Sequence, residues 1–345
     1  MASIATPPQD PTGPMAEAWW REHSLATNLG VIGALLGALS IYAITDGGFG
    51  LYLQRVFDGF SSGVLYGATA LALVLVFKAT KVINFGQGAM ATFGAYLAYT
   101  CVNNLGFPIV PAILVAMVAS AVMAGGIERA LVRPFDPNNH LAILLVTLGV
   151  YIALSALTIL IWGSNPHGFP NLISDGSTSY IGIAGARLYY EDILEAVVVA
   201  VFVLAIVLLL SRTRLGLAMR CVASSVESAR LLGINVGRSV QVSWALAAAA
   251  GTLAACLSAP STFIQPGFMD NVLLYAFAAA TLGGLDSIVG SVFAGVLVGI
   301  ATSLLTAYVP AFGAEFGSGV AFLLIVIVLQ IKPAGLFGRH VMERV

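Results

Sequence analysis

LAILLVTLGVYIALSALTILIW, residues 141–162, contains no charged residue and no proline. As a helix rising 1.5 Å per residue it would be about 33 Å long, enough to cross a hydrocarbon core about 30 Å thick. It is apolar on all sides, as a helix in lipid must be. A membrane-spanning strand would alternate in polarity over roughly ten residues and close into a barrel. Working outward, comparable runs recur at Leu25–Thr45, Phe60–Phe77, Phe85–Val102, Phe107–Ile127, Ile193–Leu210, Val240–Ala259, Ile288–Tyr308 and Gly317–Ile331. Leu273–Leu282 is apolar but too short to cross alone. The fold class expected is all-α: a polytopic transmembrane bundle of about ten segments, one of them short or broken.

Composition agrees. Of 345 residues, 59% are hydrophobic and 9% charged, against about 25% charged in a soluble domain. So little charge cannot solvate a water-facing surface, and the solvent for most of the chain is the lipid bilayer. A net charge of −1 argues against nucleic acid as a partner. Cys101, Cys221 and Cys256 are scattered without metal spacing, the four histidines form no HExxH motif, and no metal or cofactor is expected. Residues 1–24 lack the ordered regions of a secretory signal and read as a disordered cytoplasmic tail.

Lysine and arginine set the orientation. Lys78, Lys81, Arg129, Arg133, Arg212, Arg214, Arg220, Arg230, Arg238, Lys332, Arg339 and Arg344 all fall on one side if the N-terminus is inside. The alternate loops hold only Arg55 and Arg187 among Asp46, Asp58, Asp175, Glu191 and Asp192. Both termini are then cytoplasmic. Loops are short, so the spans pack as one bundle. Small residues recur every fourth position at Ser291, Gly295, Gly299 and Ser303, at Ser243, Ala247, Gly251, Ala255 and Ala259, and at Gly63 and Gly67. Such faces let helices approach closely, here within the chain rather than between subunits.

Spans two to five contain no Asp, Glu, Lys, Arg or His. This weakens an ion-coupled pump, which needs such a group in the membrane. Asp286, beside the short segment, is expected to cap the helix that follows. No Gly-Lys-Ser/Thr is present, so the chain has no P-loop of its own. Two glycine-rich breaks interrupt the helical text: Asn84-Phe85-Gly86-Gln87-Gly88 and Leu282-Gly283-Gly284-Leu285-Asp286. Broken helices at corresponding places in two halves point to a translocation path, and Asn84, Gln87, Gly283 and Gly284 are its candidates.

The most charged stretch is SRTRLGLAMRCVASSVESARLLGINVGRS, residues 211–239. Leu215–Leu232 suits one amphipathic helix. Arg220, Ala223, Glu227 and Arg230 share a face, opposite Ala218, Val222, Ser225, Val226 and Ala229. Glu227 and Arg230 are spaced to pair, and Gly233 is placed to end the helix before Ile234.

Glu227-Ser-Ala-Arg-Leu-Leu-Gly233 resembles the EAA loop of ABC-importer permeases. LGLAMRCVASSVESARLLGINV is similar to that loop in the branched-chain amino acid permease family. GVLYGATALALVLVFKATKVINFGQGAMATFGAY (63–96), FAAATLGGLDSIVGSVFAGVLVG (277–299) and KPAGLFG (332–338) resemble the family's other motifs in order. The resemblance covers roughly residues 53–340, a permease domain, and makes residues 25–52 an added N-terminal span and loop. It implies the shorter permease subunit of an ATP-driven importer, a transport component and not an enzyme, with no catalytic residue. The partners implied are a second permease, homologous or identical, two cytoplasmic ATPase subunits and an extracytoplasmic substrate-binding protein. The location implied is the plasma (inner) membrane. Arg220, Glu227, Arg230 and Gly233 would form the ATPase-coupling loop. Family members often carry His and an acidic residue where this chain has Gln87 and Ala89. That departure keeps urea or short amides open beside branched-chain or other amino acids. A secondary transporter and a passive solute channel are the rivals outside the importer class.

Overall fold

The computed structural model describes residues 48–135, 139–173, 179–309, 317–331 and 335–336. The tail at 1–24, the Leu25–Thr45 span and most of the 332–338 motif lie outside them. Helices follow in order: α1 (Gly48–Thr80), α2 (Gln87–Asn103), α3 (Ile109–Ile127), α4 (His140–Trp162), α5 (Tyr190–Arg212), α6 (Arg214–Ser224), α7 (Val226–Leu231), α8 (Val236–Thr262), α9 (Phe268–Gly283), α10 (Ile288–Tyr308) and α11 (Gly317–Ile331). A π-helical turn, Glu128–Val132, prolongs α3. Strands β1 (Tyr180–Ile183) and β2 (Ala186–Tyr189) form a hairpin between α4 and α5.

The expected bundle is present. Among the described residues, α1, α3 with its π turn, α4, α5, α8 and α10 are long and apolar enough to cross a membrane. Helices α2, α9 and α11 have 17, 16 and 15 residues, which makes them about 22–26 Å long and short of a full crossing. The short segment is longer than its apolar run suggested, because α9 starts at Phe268 rather than Leu273 and carries Asp270 in its first turn. The third span starts at Gln87, not Phe85, because the chain from Val82 to Gly86 is not helical.

Burial separates centre from periphery. In α8, 78% of the most apolar window is buried, against 17% in α5. The centre is built from small side chains, with Ala247, Ala248, Ala254 and Ala255 of α8 fully buried. The three small-residue faces meet partners in this same chain. Gly59, Gly63 and Gly67 of α1 lie against Gly295 and Gly299 of α10 so closely that a Cβ on Gly63 would stand 2.7 Å from Val296 Cα. At the end of this seam Ser303 Oγ donates to Arg55 O at 2.7 Å. The α8 face receives α2: a Cβ on Gly251 would lie 2.6 Å from Gln87 Nε2 and 3.2 Å from Ala91 Cβ.

The hairpin was not anticipated. Its two-residue turn, Ala184-Gly185, has positive φ at both positions (49° and 88°), as a right-twisted hairpin requires. Arg187 N donates to Gln54 Oε1 at 2.7 Å, fixing the hairpin to the start of α1. Ser61 Oγ donates to Asp192 Oδ1 at 2.8 Å on the same end of the bundle. Of the acidic groups, Asp58, Glu191 and Asp192 therefore lie at one end. The basic ones gather at the other, where Arg133 Nη2 donates to Glu128 Oε2 at 2.8 Å and to Gly237 O at 2.9 Å, joining α3 to α8.

The α1–α10 seam can be tested by overpacking. Gly63→Val should lower the melting temperature of the detergent-solubilised protein by an amount equivalent to about 1–3 kcal/mol. Gly126→Ala, where an added Cβ meets nothing within 4 Å, should leave it within about 0.5 kcal/mol of wild type. Equal melting curves for the two variants would show that the seam is not close-packed.

Candidate functional site

The charged loop lies at the basic end but is not one helix. Ser225 is extended (φ −157°, ψ 118°) and divides it into α6 and α7. Its Oγ accepts from Ser228 N at 3.2 Å, so the break is also the cap of α7. Thr213 caps α6 in the same way through Gly216 N at 3.2 Å. Gly216 packs directly against the Leu210 backbone, which sets the tight corner between α5 and α6. Gly233 ends α7 as expected, at φ +75°, with Ile234 N donating to Ala229 O at 3.0 Å.

The two faces also follow expectation: Val222 and Ala229 are buried, while Arg220, Glu227 and Arg230 are exposed. Arg220 turns back to its own elements, with Nε on Gly216 O at 3.4 Å and Nη2 on Ser211 O at 3.5 Å. Glu227 and Arg230 form no ion pair among the described residues. The exposed face carries a feature that sequence reasoning missed. Leu231 and Leu232 are 89% and 73% exposed, although they lie on a loop too polar to be in lipid. Consecutive leucines just before a helix-ending glycine were the available signal. Beside the loop is a cavity of about 660 Å³ lined by Lys81, Arg133, Val222, Val226, Arg230 and Gly237, among others.

Asp286 does not cap the next helix. Ser287 does, accepting from Gly290 N at 3.1 Å. Asp286 instead pairs with Lys81 at 3.1 Å, linking the end of α1 to the α9–α10 turn. Serine at the last non-helical position outcompeted the carboxylate because it sits where the orphan N–H groups point.

The first break enters the bundle. After Lys81 (φ 56°) the chain runs non-helically to Gly86, with Asn84 and Gln87 fully buried. Its polar groups are satisfied internally. Asn84 Oδ1 accepts from Gly86 N at 3.0 Å, Asn84 Nδ2 donates to Gln87 Oε1 at 3.4 Å, and Phe85 N donates to Thr147 Oγ1 at 3.4 Å. Gln87 Nε2 donates to Ala247 O at 3.0 Å, near the midpoint of α8. The amino end of α2 thus lies near mid-depth.

The second break does not. Gly283 packs on Gly290 and Ser291, and Gly284 (φ 95°) turns the chain at the basic end beside the Lys81–Asp286 pair. The structure therefore separates Asn84 and Gln87 from Gly283 and Gly284. What does face the first break is the amino end of α9. A Cβ on Gly88 would lie 3.3 Å from both Asp270 Oδ1 and Leu273 Cδ2. Among the described residues no group of three metal-ligating side chains converges.

Asn84→Ala removes the acceptor that holds Gly86 N–H and leaves buried groups unpaired. It should lower thermal stability by about 1–3 kcal/mol, whereas Asn103→Ala, at an exposed carbonyl contact, should change it by under about 0.5 kcal/mol. Equal effects would show that Asn84 does not hold the break.

Comparison with known proteins covers nearly all of this architecture. The family described as "Branched-chain amino acid transport system / permease component" matches residues 55–329. The high-affinity branched-chain amino acid transport system permease protein BraD of Pseudomonas aeruginosa is 31% identical over 307 residues, 85% of this chain and 98% of that protein. LivH of Escherichia coli K12, a permease protein with the same description, is 29% identical over 306 residues, with the same coverage. The probable branched-chain amino acid transport permease protein LivH of Methanocaldococcus jannaschii is 30% identical over 285 residues, 78% of this chain and 87% of that protein. A match that runs from α1 to α11 takes in both helix breaks and the surface loop between α5 and α8, and the chain belongs to the branched-chain amino acid transport system permease family.

Proposed function

We propose that this chain is the transmembrane permease subunit of an ATP-driven importer for branched-chain amino acids, working by alternating access. Residues 53–340 form the permease domain, preceded by an added span. The observation that carries the reading is the capped, two-helix loop of α6 and α7. It stands at the basic end of the bundle and presents Glu227, Arg230 and two exposed leucines. Exposed apolar side chains rimmed by charged ones mark a protein-contact surface. Its occupant is a cytoplasmic ATPase, because the chain has no P-loop and cannot hydrolyse ATP by that route. Two such ATPases, a second permease and an extracytoplasmic binding protein complete the assembly.

The positive-inside bias supports a cytoplasmic location for the basic end, in the plasma (inner) membrane of the cell. Both termini then lie inside. Arg220 braces the α5–α6 corner, Gly233 sets the exit of α7, and Glu227 and Arg230 meet the ATPase. The path runs past Asn84 and Gln87, where α2 begins inside the bundle, while Gly283 and Gly284 shape its cytoplasmic end. The relatives named above are all described as branched-chain amino acid permeases, which favours that substrate class over urea or short amides.

The test is Glu227→Lys, with Leu231→Asp beside it, in the full complex reconstituted in liposomes. Both should reduce ATP-driven uptake of L-leucine by about tenfold or more, as expected for loss of a docking anchor. ATPase stimulation by the loaded binding protein should be lost while the folded permease persists. Wild-type uptake in both variants would overturn the coupling assignment.

A further inference from the structure

Asp270 is a carboxylate in the middle of the membrane. Tyr151 stands midway between His140 and Trp162 of α4, and its hydroxyl donates to Asp270 Oδ2 at 2.8 Å. Independently, Asp270 Oδ1 faces Gly88, next to Gln87, whose amide reaches the central Ala247 of α8. Both approaches give the same depth. Among the described residues no cation lies within ion-pair distance of Asp270. A charged side chain at mid-bilayer is expensive unless it is paired or faces a watery path.

The neighbouring residue shows which face this is. Asn271 is exposed on the single chain, and Phe85, at the adjoining break, is 40% exposed. A primary amide cannot face hydrocarbon at this depth without losing its hydrogen bonds. This side of α9 therefore faces a polar path or a second permease, not lipid. The carboxylate and the uncapped amino end of α2 stand side by side there, a negative group next to a positive dipole end. Gly88, with no side chain, lets Asp270 Oδ1 approach this helix end closely: an added Cβ would lie 3.3 Å from it.

We infer that Asp270, positioned by Tyr151, recognises the ammonium group of a zwitterionic α-amino acid as it crosses the membrane. The amino end of α2 favours the carboxylate end of the same molecule. This rests on the importer reading and adds a selective point inside the permease, beyond the binding protein that delivers the cargo. The one hydrogen bond from Tyr151 uses only part of the carboxylate's accepting capacity.

The experiment compares wild type, Asp270→Asn, Asp270→Glu and Tyr151→Phe in the complete complex, with radiolabelled L-leucine and L-valine as probes. Asp270→Asn should reduce ATP-driven uptake by about tenfold or more, as for loss of a charge-assisted contact. Asp270→Glu should restore most of it. Tyr151→Phe should raise the substrate concentration for half-maximal uptake. Basal ATP hydrolysis and complex assembly should stay within about twofold of wild type in all three, since only substrate binding is altered. Unchanged uptake and half-saturation in Asp270→Asn, with an active wild type, would overturn the inference alone. If Asp270→Asn fails to assemble, Tyr151→Phe decides: an unchanged half-saturation overturns the inference and a raised one supports it. No uptake of either amino acid by the wild-type complex would instead overturn the proposed substrate class.

Discussion

In hydrocarbon every backbone N–H and C=O must find its partner within the protein, and that constraint governs this chain. It makes the spans helical and restricts where they can break. The non-helical stretch from Val82 to Gly86 is tolerated because Phe85 N–H finds Thr147 of α4 and because Asn84 accepts from Gly86 N–H in place of the missing helical carbonyl. Such pairing in turn requires close helix contact. The glycines of α1 and α10 and the small residues of α8 bring the backbones together, and the bundle closes around a helix end that would otherwise be exposed.

The second consequence is a division of labour along the membrane normal. At the basic end, ion pairs and capped turns tie the elements together: Lys81 with Asp286, Arg133 with Glu128 and α8, Arg220 with the α5–α6 corner. These groups contact α1, α3, α5, α8 and the α9–α10 turn. Of these groups Arg220 belongs to the α6–α7 loop and ties it to the end of α5. At mid-depth polar groups are set among small buried side chains, with amides, a tyrosine and one carboxylate around the start of α2. The rigid end and the polar centre are connected by α8, whose Gly237 accepts from Arg133 and whose Ala247 accepts from Gln87.

Much of this was legible in the residues. Helical spans, the sidedness of charge, the intrachain use of small-residue faces and the end of α7 at Gly233 all follow from periodicity and local chemistry. What was not legible had three physical causes. Capping is decided by competition, so Ser225 could split an apparently continuous helix and Ser287 could displace Asp286. Depth is a tertiary property: Asn84 and Gln87 lie at mid-depth and Gly283 and Gly284 at the basic end, though both pairs look like glycine-rich breaks. Asp270 escaped notice because the apolar run beside it starts at Leu273, and only its tertiary contact with Tyr151 of α4 reveals its depth.

The central claim is that transport through this bundle is driven by ATP hydrolysed in another chain. The most direct measurement is uptake of L-leucine into liposomes holding the wild-type permeases and ATPases, with the binding protein outside and the nucleotide inside. Accumulation that requires internal ATP and persists when ion gradients are collapsed is the result expected. Accumulation by the permease alone, driven by an ion gradient and indifferent to ATP, would contradict it.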